Sequence, residues 1–278
     1  MEFLFLKASI ASSRAFTHTY STSFSLGIKA LDKSIHDAIY GIYGFVRVAD
    51  EIVDTFHQQN KRKQILQFKT ETFKAIHEGF STNAILHSFQ WVVNHYGLDH
   101  DHINAFFDSM IMDLDKTTYN QKEYETYIYG SAEVVGLMCL KVFCHPKEEL
   151  YHSLVQPARK LGSAFQKINF LRDLRADFYD KGRMYFPGLK IEAFDENAKQ
   201  KIEQELEKEF AEAYEGIKKL PKNCKFGVYT AYIYYLQLFK KIRSEKPARI
   251  KEQRVRVPDP LKYWLLVKSI FVFRLGLV

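Results

Sequence analysis

Two aspartate pairs, Asp50/Asp54 and Asp173/Asp177, each stand four residues apart inside long apolar stretches that otherwise read as buried helices. Carboxylates taken out of water lose far more hydration free energy than a few apolar neighbours offset, so they stay charged only beside cations or in a wet cavity. On a helix, residues i and i+4 lie one turn apart, and both oxygens of a pair can approach one metal cluster. Hard oxygen ligands facing one another across a bundle suit Mg²⁺, which binds through a few carboxylates plus substrate phosphates. The pattern predicts a helical chain with a polar, cation-holding site in its interior.

The surroundings of both pairs are helical. Asp32 and Ser34 are suited to cap a helix over residues 35–56, in which Ala38, Ile42, Phe45, Ala49, Ile52 and Phe56 follow an alternating four-and-three spacing. That stripe predicts a core face. Tyr43, Arg47, Asp50 and Asp54 repeat the spacing on the other side, so polar chemistry is segregated from packing. A second helix is expected to open near Pro157, a favourable first-turn residue, and to run to about residue 180, where Gly182 stops it. Gln166, Asn169, Asp173 and Asp177 share one face of it, leaving Leu161, Ile168, Leu171 and Phe178 for packing. Further helical windows are expected at 81–96, 100–113, 122–143, 146–151 leading into the second motif helix, 192–219 and 226–242, with no sustained period-two alternation that would predict strands.

Composition narrows the class. The 278 residues hold 13 Gly and 7 Pro and no linker-like tract, predicting a single domain over 1–278 with a basic, apolar tail from about 257. The 23 Phe and 17 Tyr are enough to line a large apolar interior. Cys139, Cys144 and Cys224 form no CxxC pair, which predicts reduced thiols and a cytoplasmic protein. No signal peptide is evident at the N-terminus. From Glu215 onward there are 15 Lys/Arg against 4 Asp/Glu, so the basic character belongs to the C-terminal part. Without zinc-finger or RNA-binding signatures, this points to phosphorylated substrate or anionic lipid rather than nucleic acid. The last stretch, 261–278, is apolar but broken by Lys262, Lys268 and Arg274, too charged to span a bilayer. It reads either as an interfacial helix, with Trp264 and Lys268 near headgroups and the protein peripheral on the inner face of the cell membrane, or as a final helix packed on the domain or a partly disordered tail. His95, His100 and His102 cluster without a carboxylate-supported ligand spacing and read as structural or solvent-exposed.

The motifs as they stand resemble a family. Tyr43-Gly-Phe-Val-Arg47-Val-Ala-Asp50-Glu-Ile-Val-Asp54 is similar to the first aspartate motif of squalene and phytoene synthases. Leu161-Gly-Ser-Ala-Phe-Gln166-Lys-Ile-Asn169-Phe-Leu-Arg172-Asp173-Leu-Arg-Ala-Asp177, continuing through Gly182-Arg183-Met-Tyr185-Phe-Pro187, is similar to the second. Ser21-Thr-Ser23-Phe24-Ser25 resembles the family's substrate flap, Tyr127 to Gly136 its mid-chain helix, and Arg254-Val-Arg-Val its C-terminal signature.

The resemblance implies an all-α isoprenoid-synthase helical bundle around a central cavity, joining two prenyl diphosphates head to head. It implies Asp50, Asp54, Asp173 and Asp177, with Asn169 alongside, as ligands of Mg²⁺, for which Mn²⁺ can substitute. Arg47, Arg172, Arg183 and Arg254 would draw off the leaving diphosphate, since guanidinium matches phosphate oxygens bidentately. Tyr43, Tyr127 and Tyr235 match the family's active-site tyrosines, whose rings can shelter a carbocation; Tyr127 or the departing diphosphate would take the proton. Ser21, Ser23, Phe24, Val135 and Gln166 complete the substrate contacts. Two departures stand out: Ser131-Ala-Glu133 replaces the more usual Val-Ala-Gly, and Ala176 replaces an acidic residue beside Asp177.

The leading expectation is a phytoene synthase condensing two geranylgeranyl diphosphates through prephytoene diphosphate. The enzyme alternative makes dehydrosqualene or squalene from farnesyl diphosphate. No dinucleotide fingerprint is present, so no nicotinamide cofactor is expected. The alternative of another class is a non-catalytic assembly factor; such relatives lose motif aspartates, and all four are present here.

Overall fold

The carboxylate of Asp32 accepts a hydrogen bond from the Ser34 amide, and from that cap the first aspartate-bearing helix runs to Asp54. In the computed structural model, which describes residues 2–275, the chain order is α1 (Glu2–Tyr20), α2 (Thr22–Lys29), α3 (Lys33–Asp54), α4 (Lys61–Glu78), α5 (Ala84–Tyr96), α6 (His100–Asp115) and α7 (Gln121–Ile128). A π-helical turn, Tyr129–Glu133, joins α7 to α8 (Val134–Cys144). Then follow α9 (Glu148–Tyr179), a short 3₁₀ turn, α10 (Glu196–Lys219), α11 (Lys222–Ser244), α12 (Pro247–Glu252) and α13 (Asp259–Arg274). Among the described residues there is no strand, only an isolated bridge between Thr118 and Met184. Side chains at 22–24, 259, 263 and 274 lie outside the description, and so do residues 276–278 of the tail.

Local chemistry sets most boundaries. Asn60, Asn83, Asp99 and Asp195 each accept a backbone N–H at a helix start, and Asn120 with Glu123 forms a reciprocal capping box. Gly79 and Gly97 end α4 and α5 in the left-handed region that glycine enters without a Cβ penalty. Helices α1, α2, α4 and α12 were not among the expected windows. In α4 the apolar face is thin, Ile65, Phe68, Ala75 and Ile76 amid eight helical Lys, Arg, Glu and His side chains.

Two expectations need correcting. Pro157 does not open the second motif helix; it lies inside the 32-residue α9, which starts at Glu148. The lost backbone donor costs one rung of the ladder, and the helix continues through it packed against α8, α10, α11 and α12. Phe56 is not core: α3 ends at Asp54 and the ring is 52% exposed in the turn beyond. The remainder of that stripe packs as expected, with Ala38, Ile42, Phe45 and Ala49 fully buried.

Phe45 stacks on Phe89 at 3.8 Å between ring centres, with Phe68, Phe106 and Phe107 around them. This aromatic knot fixes α3 against α4, α5 and α6. The stretch 121–144 is long and apolar enough to cross a membrane, yet Tyr124, Tyr127, Val134, Leu137, Met138 and Leu140 are buried within the bundle. Its π-turn is gripped on both sides. A Cβ on Gly130 would lie 2.3 Å from the Ala105 carbonyl oxygen of α6, and one on Gly162 of α9 would lie 2.9 Å from that of Ala132. Only glycine permits so close an approach of three backbones.

Candidate active site

The α3 stripe and the α9 stripe converge on two adjoining cavities. The larger, about 990 Å³, is lined on one side by Tyr43, Arg47 and Asp50 and on another by Leu161, Phe165, Gln166, Asn169 and Arg172. Its deeper walls are apolar: Leu26, Ile39, Phe143, Leu154, Ile217 and Leu220. Val135 of α8, Ser21, Tyr235 of α11 and Arg254 also face it. The smaller chamber, about 250 Å³, brings together Asp50, Asp54, Asp113, Asp173 and Asp177, with Lys181, Tyr127 and Tyr185. Val46, Asp50, Ser131, Gln166, Asn169 and Arg172 belong to both linings. A polar head chamber thus opens directly into an apolar hall.

Charge in the head chamber is unevenly balanced. Asp54 accepts from Lys181 at 2.9 Å and pairs with Arg183 at 3.4 Å; these cations hold its carboxyl below the usual range despite burial. Asp173 is clamped by Arg172 at 2.5 Å and by Arg254 at 2.6 Å. Asp50 has Arg47 at 3.9 Å as its one ion pair among the described residues, and desolvation pushes its carboxyl up to about 7. Asp177 has Lys181 at 3.7 Å, and burial raises it to about 6. Two carboxylates on opposite helices are therefore left short of positive charge. Among the described residues no three His, Cys, Asp or Glu converge closely enough to enclose an ion by themselves. The donor set, carboxylates with the Asn169 and Gln166 amides, is nevertheless all hard oxygen of the kind that shares Mg²⁺ with a phosphate ligand.

Arg47 also pairs with Glu51, lies 4.5 Å over the Tyr20 ring, and leaves its buried Nε without a partner. Tyr235 stacks on Phe165 at 3.8 Å and donates to the Asn169 Oδ1 at 3.3 Å; Tyr234 beside it also lines the hall. Tyr43 lines the hall and is partly buried, its hydroxyl pushed well above its ordinary pKa by desolvation. Tyr127 faces the head chamber and donates to Asp113 Oδ2 at 2.9 Å. Arg183 points beneath the carboxylates, donating to the Asp113 carbonyl at 2.8 Å. The side chains of Ser23 and Phe24 lie outside the described residues. Glu133 turns away from the hall to pair with Arg159 at 2.6 Å. The histidines lie apart, His95 stacked on Trp91 and His100 beside Phe73. All three cysteines are free thiols.

The pair motifs do not reveal Asp113. This buried carboxylate of α6 accepts from Tyr119 at 3.0 Å, Tyr127 at 2.9 Å and Tyr185 at 3.1 Å and tethers Arg183 at 3.5 Å. Burial raises its pKa. The signal was present: Phe106, Met110 and Asp113 recur at four-and-three spacing, which places an acid on the buried face. Lys181, which bridges Asp54 and Asp177, lies in a post-helix turn that no periodicity marks.

An all-helical bundle whose interior joins a carboxylate chamber to a long apolar hall is the architecture of the isoprenoid synthases. Residues 17–260 match the squalene/phytoene synthase family model, and the chain belongs to that family of prenyltransferases. It is 27% identical over 270 residues to a phytoene synthase of Arthrospira platensis, covering 88% of this chain and 87% of that one. It is 26% identical over 199 residues to a 4,4'-diapophytoene synthase of Staphylococcus haemolyticus, covering 67% of this chain and 65% of the relative. With a presqualene diphosphate synthase of Sinorhizobium fredii it shares 30% over 168 residues, covering 60% of this chain and 58% of the relative. Among solved structures, a dehydrosqualene synthase in complex with ligand superposes with a TM-score of 0.83 at 20% identity over 99% of both chains. A squalene synthase from Alicyclobacillus acidocaldarius superposes at 0.76 and 17% identity, over 89% of this chain and 96% of that one.

Proposed function

We propose that this chain condenses two geranylgeranyl diphosphates head to head to phytoene. The observation that carries the reading is the junction of the two cavities: heads with several negative charges fit the chamber, and two long tails fit a hall near the upper end of ordinary ligand-pocket volumes. Asp50 and Asp54 on α3, with Asp173, Asp177 and Asn169 on α9, would hold Mg²⁺. That ion supplies charge to the departing diphosphate.

The residues of the chain perform the rest. Arg172, Arg254 and Arg47 ring the junction and can take over the diphosphate as its C1–O bond breaks and charge develops on it. The resulting allylic cation alkylates the double bond of the second substrate, and loss of a proton closes a cyclopropane that still carries one diphosphate. Loss of that diphosphate, ring rearrangement and loss of a second proton give the conjugated hydrocarbon. No hydride is consumed, so no reductant is needed. Tyr43 and the stacked Tyr235/Phe165 pair present π faces that stabilise cations without trapping them. Asp113 keeps the Tyr127 hydroxyl engaged, which leaves the departing diphosphate as the better proton acceptor.

The C30 reading, with farnesyl diphosphate, is favoured by the diapophytoene synthase relative and by the dehydrosqualene synthase superposition. Incubating the purified protein with Mg²⁺ and each prenyl diphosphate separates them. A C40 hydrocarbon is expected; a C30 product alone replaces the first reading with the second, and recovery of both substrates unchanged sinks both.

The outer face of α13 supports peripheral attachment on the inner membrane surface. Trp264, Val267, Phe271 and Leu275 are exposed at 56%, 48%, 63% and 71% and share one side of the helix, with Lys268 at 5.4 Å from the Trp264 ring. Lys262, Leu265 and Leu266 on the inner side line the hall. Anionic vesicles should co-sediment the protein, and a Trp264→Ala/Phe271→Ala double variant should stay in the supernatant. Equal pelleting of both would refute the assignment.

A further inference from the structure

Ser131 has a hydroxyl that the fold does not use. Many helical serines and threonines in the chain turn back to a carbonyl about one turn earlier, among them Thr72 to Phe68 at 2.7 Å, Ser109 to Phe106 at 2.7 Å, Thr230 to Phe226 at 2.8 Å and Ser269 to Leu265 at 2.8 Å, while Ser163 donates to Glu209 instead. Ser131 sits in the π-turn, whose wider winding carries i→i−5 bonds, and its buried Oγ has no partner among the described residues. A buried donor left unpaired is destabilising, so its retention needs a reason. Its position supplies one, because Ser131 is among the residues lining both the head chamber and the hall. The turn cannot slide to relieve it, being wedged between the Ala105 carbonyl of α6 and Gly162 of α9.

Building on the diphosphate reading of the chamber, we infer that Ser131 donates a hydrogen bond to the substrate diphosphate at its C1 end. The apolar tail offers the hydroxyl no acceptor, whereas a phosphate oxygen at the mouth of the chamber does. The neighbouring departure, Glu133, is neutralised away from the site by Arg159, so the hydroxyl is added there without a competing carboxylate.

The test compares the full chain with Ser131→Ala and Ser131→Thr, measuring calorimetric binding of inorganic diphosphate with Mg²⁺ and the melting temperature without ligand. Hydrogen bonds to charged groups carry roughly tenfold or more in affinity. Ser131→Ala should therefore bind diphosphate about tenfold more weakly, while its ligand-free melting temperature stays level or rises because an unpaired donor is gone. Ser131→Thr, which keeps the hydroxyl, should restore most of the affinity. Unchanged affinity in Ser131→Ala overturns the inference. So does a lowered ligand-free melting temperature accompanying the loss, since that would make the hydroxyl structural. If the unaltered chain binds no diphosphate, the reading of the chamber fails together with it.

Discussion

Helix α9 carries two sets of buried charge on different faces, and they are built on opposite principles. Toward α10, Lys167 is buried and pairs with Glu205 and with Glu209 at 2.9 Å, while Ser163 donates to the same Glu209 at 2.9 Å and Lys160 stands 3.7 Å away. Every charge there has a built-in partner. Toward α3, Asp173 has its arginines, but Asp177 and its counterpart Asp50 are pushed to about 6 and about 7 by desolvation that Lys181 and Arg47, at 3.7 and 3.9 Å, only partly offset. The first cluster is balanced from within, and the second is left short of positive charge, as the proposed receptor for a metal-bound diphosphate would be. Charge balance, rather than burial or residue type, distinguishes them.

Breaking the comparison from the receptor side should have the largest effect. Asp50→Ala and Asp173→Ala are expected to lower turnover at least about a thousandfold, or about 4 kcal/mol of transition-state stabilisation, with helical circular dichroism unchanged; full turnover in either variant would remove that residue from the site. On the balanced side, Lys167→Ala leaves Glu209 buried without its main partner and should cost about 3 kcal/mol of stability in denaturant melts. The same variant should keep its substrate affinity at temperatures where it is folded. Gly130→Ala, which forces a Cβ against the Ala105 carbonyl, should cost about 2 kcal/mol by overpacking.

The smallest effect is the pH dependence. Asp50 and Asp177 are neutral in the folded chain at pH values where an unfolded aspartate, near 3.8, is already charged. Without metal they therefore contribute stability that grows as pH falls from about 7 toward about 4. Asp54, lowered instead, contributes with the opposite sign and loses its contribution as pH falls below the ordinary aspartate range. If Mg²⁺ binds here as proposed, it displaces the protons on the first two, and its affinity should rise about tenfold between pH 6 and pH 8. A flat titration would mean that the two carboxylates do not contact the ion.

Much of this contrast was legible in the sequence, and the reason is periodicity. The α3 and α9 stripes placed Tyr43, Arg47, Asp50 and Asp54, and Gln166, Asn169, Asp173 and Asp177, because a residue's face follows from its helical phase. Partners supplied by other elements were less legible. Lys181 reaches the carboxylates from a turn whose path no spacing predicts, Arg183 was marked by the motif resemblance rather than by spacing, and Asp113, though on the buried face of α6, is a single acid without an i+4 mate. Pro157 misled for the converse reason: its local preference for a first turn is overridden by packing that only the assembled bundle supplies. The same holds for α1, whose buried residues Ser9, Ile10, Ser13 and Thr17 include three small polar side chains that do not register as a hydrophobic stripe.

The π-turn at Tyr129–Glu133 also acts as a phase setting. One residue is worth about 100° of rotation on an α-helix, so deleting a single residue there would turn everything that follows out of step with everything before. Tyr124 and Tyr127 would keep their places while Val135, Gly136 and Cys139 rotated off the wall of the hall. The helical stretch that lines both cavities is thus keyed by one extra residue, and a chain redesigned around a regular helix would keep its motifs and lose the alignment between its two rooms.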